Sequence, residues 1–214
     1  MKYGLLFSRG VSQKHRDAVV EGMNMIFALA GKSGSQYFRV LLRRDFRSIL
    51  PIEPERGEDF LRTSTIFDQL AQWQKTQNNG LIPVLCVNEP LVHTFRDKTI
   101  GNVCGVFNLQ RSCIITTYNY HPYNTNEDRA LIQLSITVVH EIGHDLYLCP
   151  KDRPDTVYEE KYGSHCAHKR CAMYLHDTDE QVAYWKKGQP FCHYCLSDLS
   201  HYFSPPADSL ADTG

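Results

Sequence analysis

"VVHEIGHDLYLCPKD", Val138 to Asp152, is the stretch on which the reading of this chain turns. His140, Glu141 and His144 spell H-E-x-x-H. Residues four apart on an α-helix lie about 40° apart in projection, so both imidazoles share one face and can chelate one ion. Glu141 sits one step round, beside that ion. There a carboxylate can take a proton from a water and later return it to a leaving amine. The competing reading is a chance triplet on a chain with ten histidines. An unpaired histidine is awkward to bury, and the apolar approach "SITVV" makes this a buried helix, which weighs against chance.

A mononuclear catalytic zinc takes three protein ligands. His140 and His144 supply two, and no further histidine appears until His165. His165 is the favoured third ligand. Cys149 is near enough in sequence to coordinate, although such a residue more often packs as an ordinary thiol. Glu159 or Glu160 would give a two-histidine, one-glutamate site, although a glutamate pair in a charged loop is usually only solvated. His168 and His193 remain open alternatives.

The second feature is "HCAHKRCAM" (165–173) followed by "FCHYC" (191–195). Cys166-x4-Cys171, then twenty residues, then Cys192-x2-Cys195 is the spacing of two chelating loops that close a tetrahedral thiolate site around a structural zinc. Disulfides or free thiols are the competing readings. Neither suits a chain expected to lack a secretory leader, with four cysteines clustered near its C-terminus.

Together these motifs resemble the archaemetzincins, a family of metzincin-clan zinc metallopeptidases. The resemblance covers roughly residues 130 to 200. It rests on His140-Glu141-x-x-His144, His165-Cys166-x4-Cys171-x-Met173 and Cys192-x2-Cys195. It implies that His140, His144 and His165 hold a catalytic zinc and that Glu141 is the general base and acid. It further implies that Cys166, Cys171, Cys192 and Cys195 hold a structural zinc, and that Met173 forms the methionine turn beneath the catalytic metal. Two zinc ions per chain follow. The chain departs from the family at one place. The family continues H-E-x-x-H-x-x-G-x-x-H-C, and the glycine and histidine positions here carry Tyr147 and Pro150. His165 comes fifteen residues late. Without the glycine, the helix is expected to run somewhat further or to unwind at "CPKDRPD", with Gly163 helping the chain turn back. Lengthening a surface loop costs little chain entropy, so the architecture can absorb the insertion.

The rest of the chain is compatible with this reading. Its 214 residues allow one domain with a real core. A net charge of −1 gives no sign of a nucleic-acid or membrane-surface binder. "GLLF" is too short for a signal-peptide core and no run is long enough to span a membrane, so the expected location is cytoplasmic. "YGLLF" (3–7), "YFRVLLRR" (37–44) and "LIPVLCV" (81–87) read as strands. The stretch 101–120 reads as one or two more, with a turn near Asn108. Helices are expected over 12–31 and 64–80, and a third begins at Asn124 or Asn126 and runs through the H-E-x-x-H motif. "PIEPERGED" (51–59) reads as a loop. Tyr118, Tyr120, Tyr123, Tyr147 and Tyr162 are candidates for stabilising an oxyanion, each more commonly a core or rim residue. The segment "VFNLQRSCIITTYN" is a candidate edge strand for aligning a peptide.

The expected fold is α+β, with a zincin- or metzincin-like mixed twisted sheet, a central active-site helix and a small zinc-stapled C-terminal part. One domain is expected over 1–203, divided near 147/148, with 204–214 a flexible tail. The expected activity is hydrolysis of a peptide or protein substrate by a monomer, with no nucleic-acid or membrane partner. The alternative is a zinc-stabilised binding protein with a blocked peptidase-like cleft.

Overall fold

The computed structural model describes residues 2–41, 58–77, 80–95, 98–108, 112–120 and 126–204. The expected loop over 51–57, Tyr123, Asn124 and the tail from 205 lie outside them.

The chain opens with β1 (Lys2–Phe7), α1 (Gln13–Leu29), a one-turn α2 (Gly34–Tyr37) and β2 (Phe38–Val40). After the undescribed segment come β3 (Leu61–Arg62), α3 (Thr63–Gln77), β4 (Leu81–Val87), β5 (Leu91–Phe95), β6 (Lys98–Gly101), β7 (Gly105–Asn108) and β8 (Ser112–Thr116). Next are α4 (Glu127–Asp145), the hairpin β9 (Thr156–Glu159) and β10 (Gly163–Cys166), and the helices α5 (Asp179–Trp185) and α6 (His193–Phe203). The main sheet is mixed, in the order β2-β1-β4-β8-β7, and only β7 is antiparallel to its neighbour. A second sheet is β3-β5-β6.

Strand alternation sorts the core into two layers. Tyr3, Leu5 and Phe7 of β1, Ile82, Val84 and Cys86 of β4, and Cys113 and Ile115 of β8 face α1 and α4. Leu6, Leu85, Val87 and Ile114 face the other way, against Ile66, Phe67, Leu70 and Trp73 of α3. A sheet covered on both faces needs continuous apolar strands, which is why "LIPVLCV" is buried along its whole length. The first layer continues without a break into Met173, Trp185, Phe191 and Leu199, so the C-terminal elements share the core of α1 and α4.

Helix α4 is capped by Asn126, whose side chain accepts from the Asp128 N–H at 3.0 Å, with Glu127 and Asp128 in its positive first turn. Its far end corrects the expectation of a longer or unwinding helix. It stops at Asp145, and Tyr147 takes φ +57° in the place of the missing glycine. The Tyr147 N–H donates to His144 O at 3.1 Å and the Leu148 N–H to Gly143 O at 3.0 Å, the paired bonds of a Schellman stop. The Tyr3 hydroxyl, from β1, donates to the Asp145 carboxylate in that last turn. The second expected strand is shorter than its sequence suggested. Tyr37 belongs to α2, only Phe38–Val40 pair with β1, and 42–44 lie outside the described residues. No described helix is long and apolar enough to cross a membrane.

Candidate functional site

His140 and His144 project from the same face of α4 with their Nε2 atoms 3.1 Å apart. The hairpin brings in the third imidazole. His165 lies in β10, and its ring centroid is 5.0 Å from that of His140 and 5.0 Å from that of His144. One ligand atom from each ring falls within 4.8 Å of the others. Bonds of about 2.0–2.1 Å to a tetrahedral zinc imply N···N edges of roughly 3.3 Å. The His140–His144 edge already has that size. Burial holds the His140 imidazole below its usual range. Burial and the two neighbouring imidazoles hold His144 well below it, and burial with His140 nearby pushes His165 down to about 3. Neutral imidazoles are the form that binds a metal. The His140 Nδ1–H donates to Ala172 O at 2.8 Å, which orients that ring and leaves Nε2 free for an ion.

Glu141 is 7% exposed and faces the strand at the sheet edge. Burial pushes its carboxyl up to about 8, against the opposing effect of the Phe107 N–H, which donates to it. Gly105 lies against the same carboxylate, so closely that a Cβ there would stand 2.7 Å from Glu141 Oε1. Both contacts come from β7, whose outer edge has no strand partner among the described residues. Met173 is fully buried under α4 beside Gly143.

The four cysteines form a second centre. Cys166 and Cys192 are 3.6 Å apart at sulfur, Cys171 and Cys195 3.5 Å, and all four sulfurs lie within 4.8 Å of one another. None of the eight cysteines is in a disulfide. Zn–S bonds of about 2.3 Å give S···S edges of roughly 3.8 Å, so the cluster can hold a metal ion. Backbone N–H groups already point at the sulfurs, His168 at Cys166 (3.4 Å) and Cys192 at Cys171 (3.5 Å). Such donors suit thiolates rather than thiols.

The remaining candidates separate clearly. Glu159 and Glu160 are exposed and belong to neither group. Cys149 joins the sulfurs and not the imidazoles, with its Sγ 3.6 Å from that of Cys195. His168 turns toward Asp155, with Nε2 3.5 Å from Oδ2, and His193 packs on Tyr194. Tyr120 is buried, its hydroxyl 2.6 Å from that of Thr137, while Tyr118, Tyr147 and Tyr162 are exposed. Sequence reasoning missed Arg153, which reaches Asp155, Asp198, Cys149 and Cys195. It also missed the closeness of Gly105 and Phe107 to Glu141. "KDRPD" carries no pattern beyond that of a polar loop, so nothing in it flagged the arginine.

No family model, no curated protein and no solved structure matches this chain.

Proposed function

We propose that this chain is a zinc-dependent metallopeptidase of archaemetzincin type, with a metzincin-like arrangement of sheet and active-site helix. The observation that carries the reading is the meeting of three neutral imidazoles, His140, His144 and His165, next to the buried carboxylate of Glu141. Cys166, Cys171, Cys192 and Cys195 are the ligands of a structural zinc in this reading. An ion on the imidazoles supplies Lewis acidity for a scissile carbonyl and lowers the pKa of a water. The protein's own groups do the rest. Glu141 takes the proton of the attacking water and passes it to the leaving amine. The outer edge of β7, which has no strand partner among the described residues, takes the main chain of an extended peptide at Gly105 and aligns it across the helix. The Ala172 carbonyl keeps His140 in one tautomer throughout.

Replacing Glu141 by Gln tests this. Hydrolysis of a broad peptide library by the purified chain should fall by orders of magnitude while metal content stays the same. Unchanged hydrolysis would remove Glu141 from the mechanism. The tight cover over Glu141 favours a second reading, a zinc-stabilised binding protein whose cleft stays shut. In that case the unaltered chain cleaves nothing in the library.

A further inference from the structure

The thiolate cluster has more ligands than one ion can use. Asp155 Oδ2 lies 3.8 Å from Cys166 Sγ and 3.5 Å from His168 Nε2, and Cys166 and Cys192 are 3.6 Å apart. One atom from each of Asp155, Cys166, His168 and Cys192 falls within 4.8 Å of the others. Edges of roughly 3.3–3.8 Å are those of a tetrahedron of N, O and S donors around zinc. This second group shares the Cys166–Cys192 edge with the four-cysteine group.

We propose that the cluster holds two zinc ions, bridged by the thiolates of Cys166 and Cys192, with Cys171 and Cys195 completing one and Asp155 and His168 the other. The proposal rests on the reading of the four cysteines as a metal site. Three observations carry it beyond that reading. The first is the orientation of His168. Its side chain is 39% exposed, so the ring could offer Nε2 to water. Instead Nε2 is buried without a hydrogen bond, turned toward the carboxylate, while the ring stacks on Tyr194 at 5.8 Å. A surface ion pair does not explain that, since exposed pairs gain little and this one lacks hydrogen-bond geometry. The second is the orientation of Asp155. Arg153 Nε contacts its Oδ1 at 2.6 Å, which leaves Oδ2 facing the cysteine and the imidazole.

The third is charge. With all four cysteines ligating as thiolates, the cluster with Asp155 and Asp198 carries six negative charges, and among the described residues Arg153 is the cation in contact with it. One dication leaves three of those charges uncompensated in a half-buried cluster, and a second leaves one. Uncompensated charge away from water is costly. Thiolates bridge soft d10 cations readily, and the two added ligands are of types that zinc accepts. Asp155 belongs to the inserted segment after α4 and His168 to the cysteine loop. The second ion therefore ties the insertion to the cysteine loops, close to the strand that presents His165.

The test is native mass spectrometry of the full chain titrated with Cd2+, with 113Cd NMR of the same samples. Three ions per chain are expected, two of them giving mutually coupled resonances shifted by thiolate ligation. His168→Ala and Asp155→Asn should each remove one ion and collapse the coupled pair to a single resonance. His144→Ala should remove an ion and leave the pair intact. Both cluster variants alter partly exposed side chains, and circular dichroism checks that they fold. One thiolate resonance in the unaltered chain, unaffected by His168→Ala, overturns the second ion and keeps the four-cysteine site. No thiolate resonance at all overturns both.

Discussion

Gly143 rests directly on Met173: a Cβ on residue 143 would stand 2.3 Å from Met173 Sδ and 3.2 Å from its Cε. The glycine inside the H-E-x-x-H motif is therefore a contact requirement, even though it sits in a helix where alanine is intrinsically favoured by up to about 1 kcal/mol. The contact seats α4 on the loop whose Ala172 carbonyl receives the His140 Nδ1–H.

Gly143→Ala sets helix propensity against overpacking. Met173 is fully buried and Leu148 Cδ1 would stand 3.3 Å from the same Cβ, so overpacking should win. We expect a net loss of about 1–3 kcal/mol in urea denaturation, with weaker zinc binding as the Ala172 carbonyl is displaced. A more stable variant would mean that the loop yields freely and does not support His140.

Tyr147 should show the opposite sign. It is 71% exposed and holds φ +57° at the end of α4. That conformation costs a non-glycine residue about 1–2 kcal/mol, and glycine adds roughly 0.5–1 kcal/mol of unfolded-state entropy. Tyr147→Gly should therefore stabilise the chain by up to about 1 kcal/mol, read as a higher denaturation midpoint at unchanged slope. A loss of stability would reveal a packing role for the ring that its exposure does not suggest.

Much of this architecture is legible in local sequence. β4 and β8 are apolar runs because helices cover both faces of the sheet, and α1 and α3 carry their buried residues at helical spacing. β5 and β6 escaped notice because "LVHTF" and "KTIG" mix polar and apolar residues without strict alternation. The hairpin β9–β10 depends on pairing His165 with Val157 across a turn, which composition does not encode. The H-E-x-x-H and cysteine spacings are local, so the residues that cluster there could be singled out from sequence. Arg153 and Asp155 meet Asp198 only in three dimensions, Arg153 and Asp198 being 45 residues apart. The closeness of β7 to Glu141 likewise arises from sheet order.

Arg153 joins those distant parts. Its side chain is 10% exposed; Nε contacts Asp155, Nη1 donates to Asp198, and Nη2 donates to Cys149 and Cys195 at 3.4 and 3.5 Å. Removing one partner of a buried pair leaves uncompensated charge, so Arg153→Ala should cost about 3–5 kcal/mol. Lysine should rescue little, because a single ammonium cannot reach several partners as a planar fork does. Denaturation monitored by circular dichroism reads the effect. A change within about 0.5 kcal/mol, the size of an ordinary surface substitution, would show that the segment after α4 is held without the arginine.

His165 and Cys166 are consecutive in β10, so their side chains leave opposite faces of the strand. One joins the imidazoles, the other the sulfurs. The Cys166 N–H donates to Met173 O at 2.9 Å, and β9 holds the strand from its other edge. The backbone at residue 165 is therefore positioned independently of its side chain. His165→Ala should leave the hairpin and the sulfur cluster in place and remove one of three nitrogen donors from the other site. We expect the affinity of that site for zinc to fall at least about 100-fold, the upper end of the cost of disturbing a group that only orients a ligand. In the cobalt-substituted chain, the thiolate charge-transfer bands should persist while the imidazole-site ion is lost. Glu159→Gln and Glu160→Gln should do neither, since both carboxylates stand outside the cluster. Retention of the imidazole-site ion in His165→Ala, with its loss in Glu159→Gln or Glu160→Gln, would move the third ligand to that glutamate. Loss of the thiolate bands in His165→Ala would instead mean that the two sites fold as one unit.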